Sequence, residues 1–270
     1  MTELVKTPDE QALTTIPEDL RRDAGRGVEN IGSDDVRPPI IRICQSGSPQ
    51  RKPGDAKQIP GLQELDIFND LSGEIYGQGP LKFVVVDTLK PKYIHFAPMN
   101  GGGGVIDRDV QPSDPRTQFT NDANGERVKP IATMFRDYLV FLPDYQELGV
   151  LSFKSTQLPV AVQLNGKMKL PLKGEVLSPA LKGQIIMDPP SWARTFSVTT
   201  VMERKDSYAW GNYNLKLEGL TPTEIRETCS MLADVYAKKN IIIEHEQEAE
   251  PEDVSFNPDQ YENTGANAGM

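Results

Sequence analysis

The stretch WARTFSVTTVMERKDSYAWGNYNLKL, residues 192–217, contains both tryptophans of the chain and five of its nineteen aromatic residues. Alternation with a period of two predicts two strands joined by a polar turn at residues 203–207. In the second strand, Tyr213, Leu215 and Leu217 share one face, which is apolar and suited to a protein core. The stretch therefore predicts a β-hairpin that turns one face toward the interior.

The opposite face of the second strand carries a different set of side chains. Its members are Tyr208, Trp210, Asn212, Asn214 and Lys216. Aromatic rings beside cations can stack the bases of a single nucleic-acid strand, and each stack contributes about 1–3 kcal/mol to binding. Tyrosine and tryptophan are also common strand residues that cover a sheet edge or pack beneath a loop. The sequence leaves both interpretations open.

Length and composition indicate a globular protein. With 270 residues and 37% hydrophobic content, the chain can bury a substantial core in one large domain or two small ones. No apolar run approaches the roughly 18 residues of a membrane span, and the N-terminus lacks the basic and apolar segments of a signal peptide. We expect a soluble protein of the cytoplasm, that of the host cell if the chain is encoded by a phage.

Cysteine and histidine are too few and too scattered for a metal site. Cys44 and Cys229 stand far apart without a CxxC spacing, and the histidines are His95 and His245. Neither a disulfide framework nor a zinc site is supported by these positions. We expect no metal and no cofactor.

The net charge of −10 is unevenly distributed. Residues 1–35 carry nine acids and four bases, and residues 241–270 carry eight acids and no base. Residues 36–240 carry 22 acids and 25 bases and are therefore mildly positive. A positive body can attract phosphates through local grooves, whereas acidic ends repel phosphates and can contact basic partners. Acidic ends also serve simply to keep a protein soluble.

These observations predict three parts of the chain. Residues 1–35 are polar and form a disordered arm, residues 36–243 form a single β-rich domain, and residues 244–270 form an acidic disordered tail. The tail is expected to compete with DNA for lysines and to contact replication proteins. The predicted fold class is mainly β with α (α+β), an OB-like antiparallel barrel or sheet with long loops and one C-terminal helix.

Several elements of the domain follow from local signals. Residues 67–76 predict a hairpin around a turn at 70–73, and residues 81–87, apolar on both faces, predict a central strand. Residues 135–142 and 149–154 predict two antiparallel strands. The helix at 221–240 has a Thr-Pro start and an apolar face that is formed by Ile225, Cys229, Leu232 and Tyr236.

The remaining segments are less regular. Residues 155–174 predict a short helix after a Ser/Thr cap, followed by a lysine-rich stretch. The loop at 46–61, rich in glycine and proline and carrying three bases, is expected to be mobile. Residues 100–130, which include a tetraglycine, are expected to form a mobile flap.

The predicted nucleic-acid-binding residues are the bases and aromatic rings of these strands and loops. A lysine track would bind phosphates, and the rings would stack bases without sequence preference. They are Lys90, Lys92, Tyr93, Lys154, Lys167, Lys169, Lys173, Trp192, Arg194, Arg204, Lys205, Tyr208, Trp210 and Lys216.

The middle of the chain, residues 37–240, resembles phage-encoded single-stranded-DNA-binding proteins. The resemblance rests on IPGLQELDIFNDLSGEIYG at 59–77, VLSFKSTQL at 150–158, and FSVTT and YAWGNYNLKLEG within 196–219. It implies an OB-like β-barrel with large loops and an acidic, flexible C-terminal tail that contacts replication partners. The tail of this chain ends without the terminal aromatic residue of some such proteins.

Two other functions remain open. An enzyme, such as a metal-dependent nuclease or hydrolase, would use the loop and strand acids Asp87, Asp107, Asp109 or Asp114, but no partner histidine or lysine recurs at a useful spacing. A structural or host-interaction protein would account equally well for a β-rich body with acidic ends. We expect a non-enzymatic protein that binds single-stranded DNA in phage replication or recombination.

Overall fold

The computed structural model describes residues 38–98, 104–205 and 208–236, together with residues 18, 22, 23, 26, 27, 243 and 245. The chain divides into two compact units, residues 1–37 and 38–270. Almost all described residues belong to the second unit. The predicted arm at 1–35 and the predicted tail at 244–270 lie outside the described residues except at a few positions.

Strands dominate the described part of the second unit, and two helices accompany them. The strands are β1 (Ile40–Ile43), β2 (Ile67–Asn69), β3 (Ile75–Gly77), β4 (Leu81–Thr88), β5 (Lys92–Phe96), β6 (Val105–Asp107), β7 (Thr120–Asn121), β8 (Arg127–Val128), β9 (Ala132–Leu142), β10 (Glu147–Lys154), β11 (Leu172–Lys173), β12 (Ile185–Ile186), β13 (Arg194–Lys205) and β14 (Tyr208–Leu220). The helices are α1 (Leu158–Lys169) and α2 (Thr223–Tyr236). The α+β class is confirmed.

One large sheet organises the fold. Its strand order is β14-β13-β4-β9-β10-β1-β2-β3, with β5 also paired to β9 and β6 paired to β5. The pairs are antiparallel except β1 with β10, which is parallel. The predicted hairpin at 67–76, the central strand at 81–87 and the antiparallel pair β9–β10 are all confirmed.

The inner face of the sheet holds the larger core. Alternate residues of β4, β9, β10, β13 and β14 point inward because side chains of a strand alternate between faces. Phe83, Phe153 and Phe196 are almost completely buried there. Helix α1 packs against this face through Val160, Ala161, Leu164 and Met168. This helix was indicated by the signals at 155–174, although the predicted fold had only the C-terminal helix.

The two sides of the sheet approach each other at Gly211 of β14. Gln45, just after β1, donates from Nε2 to the Gly211 carbonyl at 2.9 Å and accepts the Gly211 N–H at 2.8 Å. A Cβ at position 211 would lie 2.8 Å from Leu65 Cδ2 and 3.0 Å from Ile43 Cγ2. A larger residue at position 211 would have to displace the side chains of Leu65 and Ile43, so glycine suits this close approach, and the sheet is strongly curled.

A second core lies on the outer face of the central strands. Val84 and Val86 of β4 contribute to it, while Val85 belongs to the inner core, so β4 is covered on both faces. Helix α2 packs here through Cys229, with Ile225, Leu232 and Tyr236 beside it. The predicted face of this helix is confirmed; residues 237–240 of the predicted helix lie outside the described residues.

Two loops differ from the sequence-based expectation. The segment at 46–61 is folded through consecutive turns, in which Ile59 N donates to Gln50 O at 2.8 Å and Gly54 N donates to the Gln58 side chain at 2.9 Å. Most of 100–130 is also structured, because β6 extends the sheet and β7 pairs with β8. Local hydrogen bonds and strand pairs therefore structure most of both segments, whose composition suggested mobility; residues 100–103 lie outside the described residues.

The described fold continues past residue 243. Ile243 is buried in the outer core, and His245 is only 4% exposed. His245 Nε2 lies 2.9 Å from Asp137 Oδ2, and its ring stacks on Phe135 at 3.9 Å between centroids. The predicted start of the tail at 244 is therefore too early, because His245 belongs to the packed structure. In the described part of the chain, neither helix combines the length and the apolar character that crossing a membrane demands.

Candidate nucleic-acid interface

The β13–β14 hairpin separates its two faces as predicted. Phe196 pairs with Leu217 and Val198 with Leu215, and all four side chains belong to the inner core or pack against it. The opposite face, here called the outer hairpin face, holds Glu203, Lys205, Tyr208, Trp210, Asn212, Asn214 and Lys216. Since β4 pairs only with residues 195–198 of β13, the hairpin tip extends beyond its neighbour.

Trp210 is fixed in place on the outer hairpin face. Its Nε1–H donates to Glu203 Oε2 at 3.1 Å, and the other carboxylate oxygen accepts from Asn212 Nδ2 at 3.0 Å. Asn212 also donates to the Thr156 carbonyl at 3.2 Å. These bonds satisfy the indole N–H and hold one ring orientation, while the ring remains partly exposed. An oriented, accessible ring can stack on a flat partner at little cost in side-chain entropy.

The tip adds one cation, Lys205, to the outer hairpin face, whereas Arg204 next to it points to the opposite face. Arg204 and Lys205 are exposed, and Lys205 is the cross-strand partner of the half-buried Tyr208. Cross-strand partners lie on the same face at about 4.5–5.5 Å between Cβ atoms. The structure therefore brings a base and a ring together at the end of the hairpin.

Lys216, farther along the same face, is already paired. Its Nζ lies 3.0 Å from Glu218 Oε2, and Ser197 Oγ donates to the other oxygen at 2.6 Å. The Ser197 hydroxyl and then the Lys216 ammonium lower the pKa of the Glu218 carboxyl. Because Lys216 and Glu218 are two residues apart in a strand, their side chains share a face. This part of the surface is less positive than the lysine alone indicated.

Trp192 and Arg194 lie away from the outer hairpin face. Trp192 is partly buried in the turn before β13 and packs against the outer core. Arg194 is 8% exposed and donates to three carbonyls at the end of α1, those of Met168, Leu170 and Pro171, at 2.7–3.2 Å. Burial lowers its pKa. The expectation that Arg194 binds phosphate is wrong, because its guanidinium is used inside the protein.

Lys92, Tyr93 and Lys154 lie beside β9. Lys92 and Lys154 are the cross-strand partners of Phe135 from the two neighbouring strands, while Tyr93 pairs with Met134 and points to the other face. All three are partly exposed. Two predicted bases therefore flank the ring on which His245 stacks.

The three lysines from residues 167–173 divide between structure and surface. Lys167 donates from Nζ to the Leu215 carbonyl at 3.1 Å and so joins α1 to β14. Lys169 is exposed at the end of α1, and Lys173 is exposed on β11 opposite Ile185. A continuous track along these residues is thus interrupted at Lys167.

A cavity of about 690 Å³ lies between α1 and the segment joining β4 to β5. Leu89 and Pro91 form part of one wall, and Lys90, between them in the chain, is exposed. Arg136 and Lys169 contribute two cations to the lining. Arg136 was not predicted as a binding residue, because it lies in a strand whose other residues are mostly apolar. The available signal was the alternation of the strand, which places Arg136 on the face opposite Phe135.

Two of the acids that an enzyme would use, Asp107 and Asp114, are engaged in ion pairs. Arg116 Nη2 lies 3.0 Å from Asp107 Oδ2 and 2.8 Å from Asp114 Oδ2. Hydrogen bonds from Arg116 lower the pKa of Asp114 to about 2. Within residues 38–98, 104–205 and 208–236 and the isolated described positions, no group of three or more His, Cys, Asp or Glu side chains could hold a metal ion.

The sequence matches a family described as Pam3 phage gp34-like protein over residues 9–241. The chain belongs to this phage protein family. No curated protein matches it, and no solved structure matches it. The match spans the hairpin, both helices and the cavity, so these features lie within the part that defines a Pam3 phage gp34-like protein. Ile243 and His245 lie just beyond the matched residues.

Proposed function

We propose that this phage-family protein binds single-stranded DNA without sequence preference. The observation that carries the proposal is the outer hairpin face, where Glu203 orients the partly exposed ring of Trp210. Arg204, Lys205 and Tyr208 lie at the same tip. Stacking of bases on Tyr208 and Trp210, with phosphates near Lys205, is the usual combination in proteins that bind single strands.

The curled sheet would serve this function as an OB-like scaffold, with the hairpin projecting from it. Binding would occur during phage DNA replication or recombination in the cytoplasm of the host cell. The acidic C-terminal segment would contact replication proteins, because eight acids without a base suit a basic partner.

The test is the anisotropy of a labelled oligo-dT strand measured over a range of salt concentrations. We expect binding that weakens as salt rises, because cations on the protein displace condensed counterions. Trp210→Ala should weaken binding by about 1–3 kcal/mol, and Trp210→Phe should restore much of it. The melting temperature should be nearly unchanged in both variants.

A pair of charge variants gives the control. Lys205→Gln at the tip should reduce the salt dependence by about 0.7 in the logarithmic slope if one phosphate contact is lost. Lys129→Gln, an exposed lysine near β8, should leave the slope unchanged. Equal or tighter binding of duplex DNA, or no effect of Trp210→Ala on affinity, would refute the proposed interface.

A second function, binding of another protein, is favoured by a different surface. Ile185, Ile186 and Met187 are 57%, 43% and 64% exposed on and after β12. Neighbouring exposed apolar side chains are typical of interaction surfaces. If Ile185→Ser and Met187→Ser leave DNA binding intact but abolish association with a phage or host protein, the two functions reside on separate surfaces.

A further inference from the structure

The cavity beside α1 is independent of the outer hairpin face. Its volume of about 690 Å³ falls within the range of about 300–1,000 Å³ of small-molecule sites. Its lining combines an apolar part, formed by Leu89, Pro91, Val162 and Met168, with a polar part. Sites of this composition bind ligands that have both a flat or apolar portion and a polar group.

Two cations, Arg136 and Lys169, lie in the polar part of the lining. Neither has a carboxylate in ion-pair contact among the described residues. Asp137, which also contributes to the lining, is engaged with His245 at 2.9 Å. A guanidinium presents several N–H donors in a plane and binds phosphate through two of them, and an ammonium adds a point charge. The cavity therefore favours an anion.

The side-chain amide of Asn165 is a neutral hydrogen-bond donor in the same lining. Tyr138 donates its hydroxyl hydrogen to Asn165 Oδ1 at 2.8 Å, which orients the amide. Burial raises the pKa of Tyr138, so the hydroxyl stays protonated and remains a donor. Because the Asn165 carbonyl oxygen is occupied, its two Nδ2 hydrogens are left for an acceptor, and nothing in the described residues accepts them.

We propose that this cavity binds a nucleotide unit, with the phosphate on Arg136 and Lys169 and the base against Leu89, Pro91 and Met168. The Asn165 amide donates to an acceptor on the base or sugar. The same chemistry is present in a free mononucleotide and in one nucleotide of a strand. The inference goes beyond the hairpin interface, since a free mononucleotide could bind even if the chain binds no strand.

The experiment is a calorimetric titration of the full chain with dTMP, AMP and inorganic phosphate. We expect both nucleotides to bind more tightly than phosphate alone. Arg136→Gln should weaken nucleotide binding about tenfold to a hundredfold, because charge-assisted hydrogen bonds are lost. Val162→Trp should also weaken it by filling the cavity from a position that is 58% exposed and tolerant of substitution. Lys129→Gln, at an exposed lysine outside the lining, is the matched control.

Oligo-dT separates the two sources of the nucleotide. If the cavity variants weaken oligo-dT binding and AMP competes with the oligomer, the cavity accepts a nucleotide of the strand. If the cavity variants weaken only mononucleotide binding, the ligand is a free nucleotide. If the protein binds mononucleotides but no oligo-dT, the hairpin interface is rejected and the cavity site is retained. The inference is overturned if neither nucleotide binds better than phosphate, or if Arg136→Gln and Val162→Trp, both with native melting temperatures, bind as the wild type does.

Discussion

The two tryptophans of the chain lie in regions of opposite character. Trp192 precedes β13 and packs on the outer core near α2, whereas Trp210 lies on the outer hairpin face with its N–H held by Glu203. Both come from the same short aromatic stretch. The difference shows that an aromatic residue is assigned to core or surface by what the rest of the chain places over it. Nearby sequence alone could not separate the two.

The largest change in the free energy of unfolding is expected at Arg194, which lies in the buried region near Trp192. Arg194→Ala would leave three carbonyls at the end of α1 without their donor. Each buried group that loses its partner costs about 1–3 kcal/mol, and the total should be at least about 3 kcal/mol. Urea unfolding measures it. Arg204→Ala, exposed at the hairpin tip, should change the free energy of unfolding by less than about 0.5 kcal/mol; a similar loss in both would contradict the assignment.

Trp192→Ala and Trp210→Ala compare the contributions of the two tryptophans to the free energy of unfolding. Removing a tryptophan from a core costs about 3–5 kcal/mol, and because Trp192 is only partly buried we expect about 2–3 kcal/mol. Trp210→Ala should cost less, since its ring is partly exposed and makes one hydrogen bond, to Glu203. Thermal and urea unfolding of both variants check this. If Trp210→Ala is the more destabilising change, the hairpin ring belongs to the core and the stacking proposal fails with it.

The third prediction concerns His245, which extends the packed structure toward the C-terminus. His245→Ala removes the partner of Asp137 Oδ2, and Asp137 Oδ1 already has no hydrogen-bond partner in the described part of the chain. A buried acid left without a partner should lower the free energy of unfolding by about 1–3 kcal/mol.

A pair of truncations controls for the tail itself. A chain ending at Gln247 should retain the stability of the full chain, whereas one ending at Ile243 should lose as much as His245→Ala. Equal stability of the two truncated chains would show that the contact of His245 with Asp137 contributes nothing.

The smallest effect is expected at Arg116, where the ion pairs are about a third exposed. Arg116 lowers the pKa of Asp114 from 3.8 to about 2, so the folded state favours the carboxylate. Its stabilisation is present above pH 3.8 and is lost as the pH falls through about 2.

Melting temperatures of Arg116→Gln and the wild type should therefore differ most at neutral pH and converge toward pH 2. Arg51→Gln, which breaks the comparably exposed pair with Glu64 at 3.1 Å, is the control for general charge effects. A difference that grows as the pH falls would contradict the sign of the pKa shift.

Much of the fold followed from local pattern. Alternation correctly placed Tyr213 and Leu215 in the inner core, and the Thr-Pro start and apolar face correctly predicted α2. These signals work because the side chains of one element share a face whatever the rest of the chain does. The positions of Trp192 and Arg194 depend instead on α2 and α1, which reach them from distant parts of the sequence.

The candidate sites were harder to predict because they depend on tertiary contacts. Arg136 and Asn165 meet in one cavity only after α1 packs on β9, and no spacing in the sequence relates them. The pairing of Lys216 with Glu218, by contrast, was readable from their separation of two residues in a strand. Lys216 was nevertheless predicted to bind nucleic acid, because the alternation was not applied to its charged neighbour, whereas the cavity requires the folded arrangement.

The contact between Gln45 and Gly211 joins two parts of the curled sheet through a side chain. Hydrogen bonds between strands are made by the peptide groups that every sequence shares, so substitution rarely removes them. Here a side-chain amide supplies both the donor and the acceptor that a neighbouring strand would supply. Both hydrogen bonds at this point thus depend on one side chain, so a substitution at Gln45 removes them without altering the backbone of either strand.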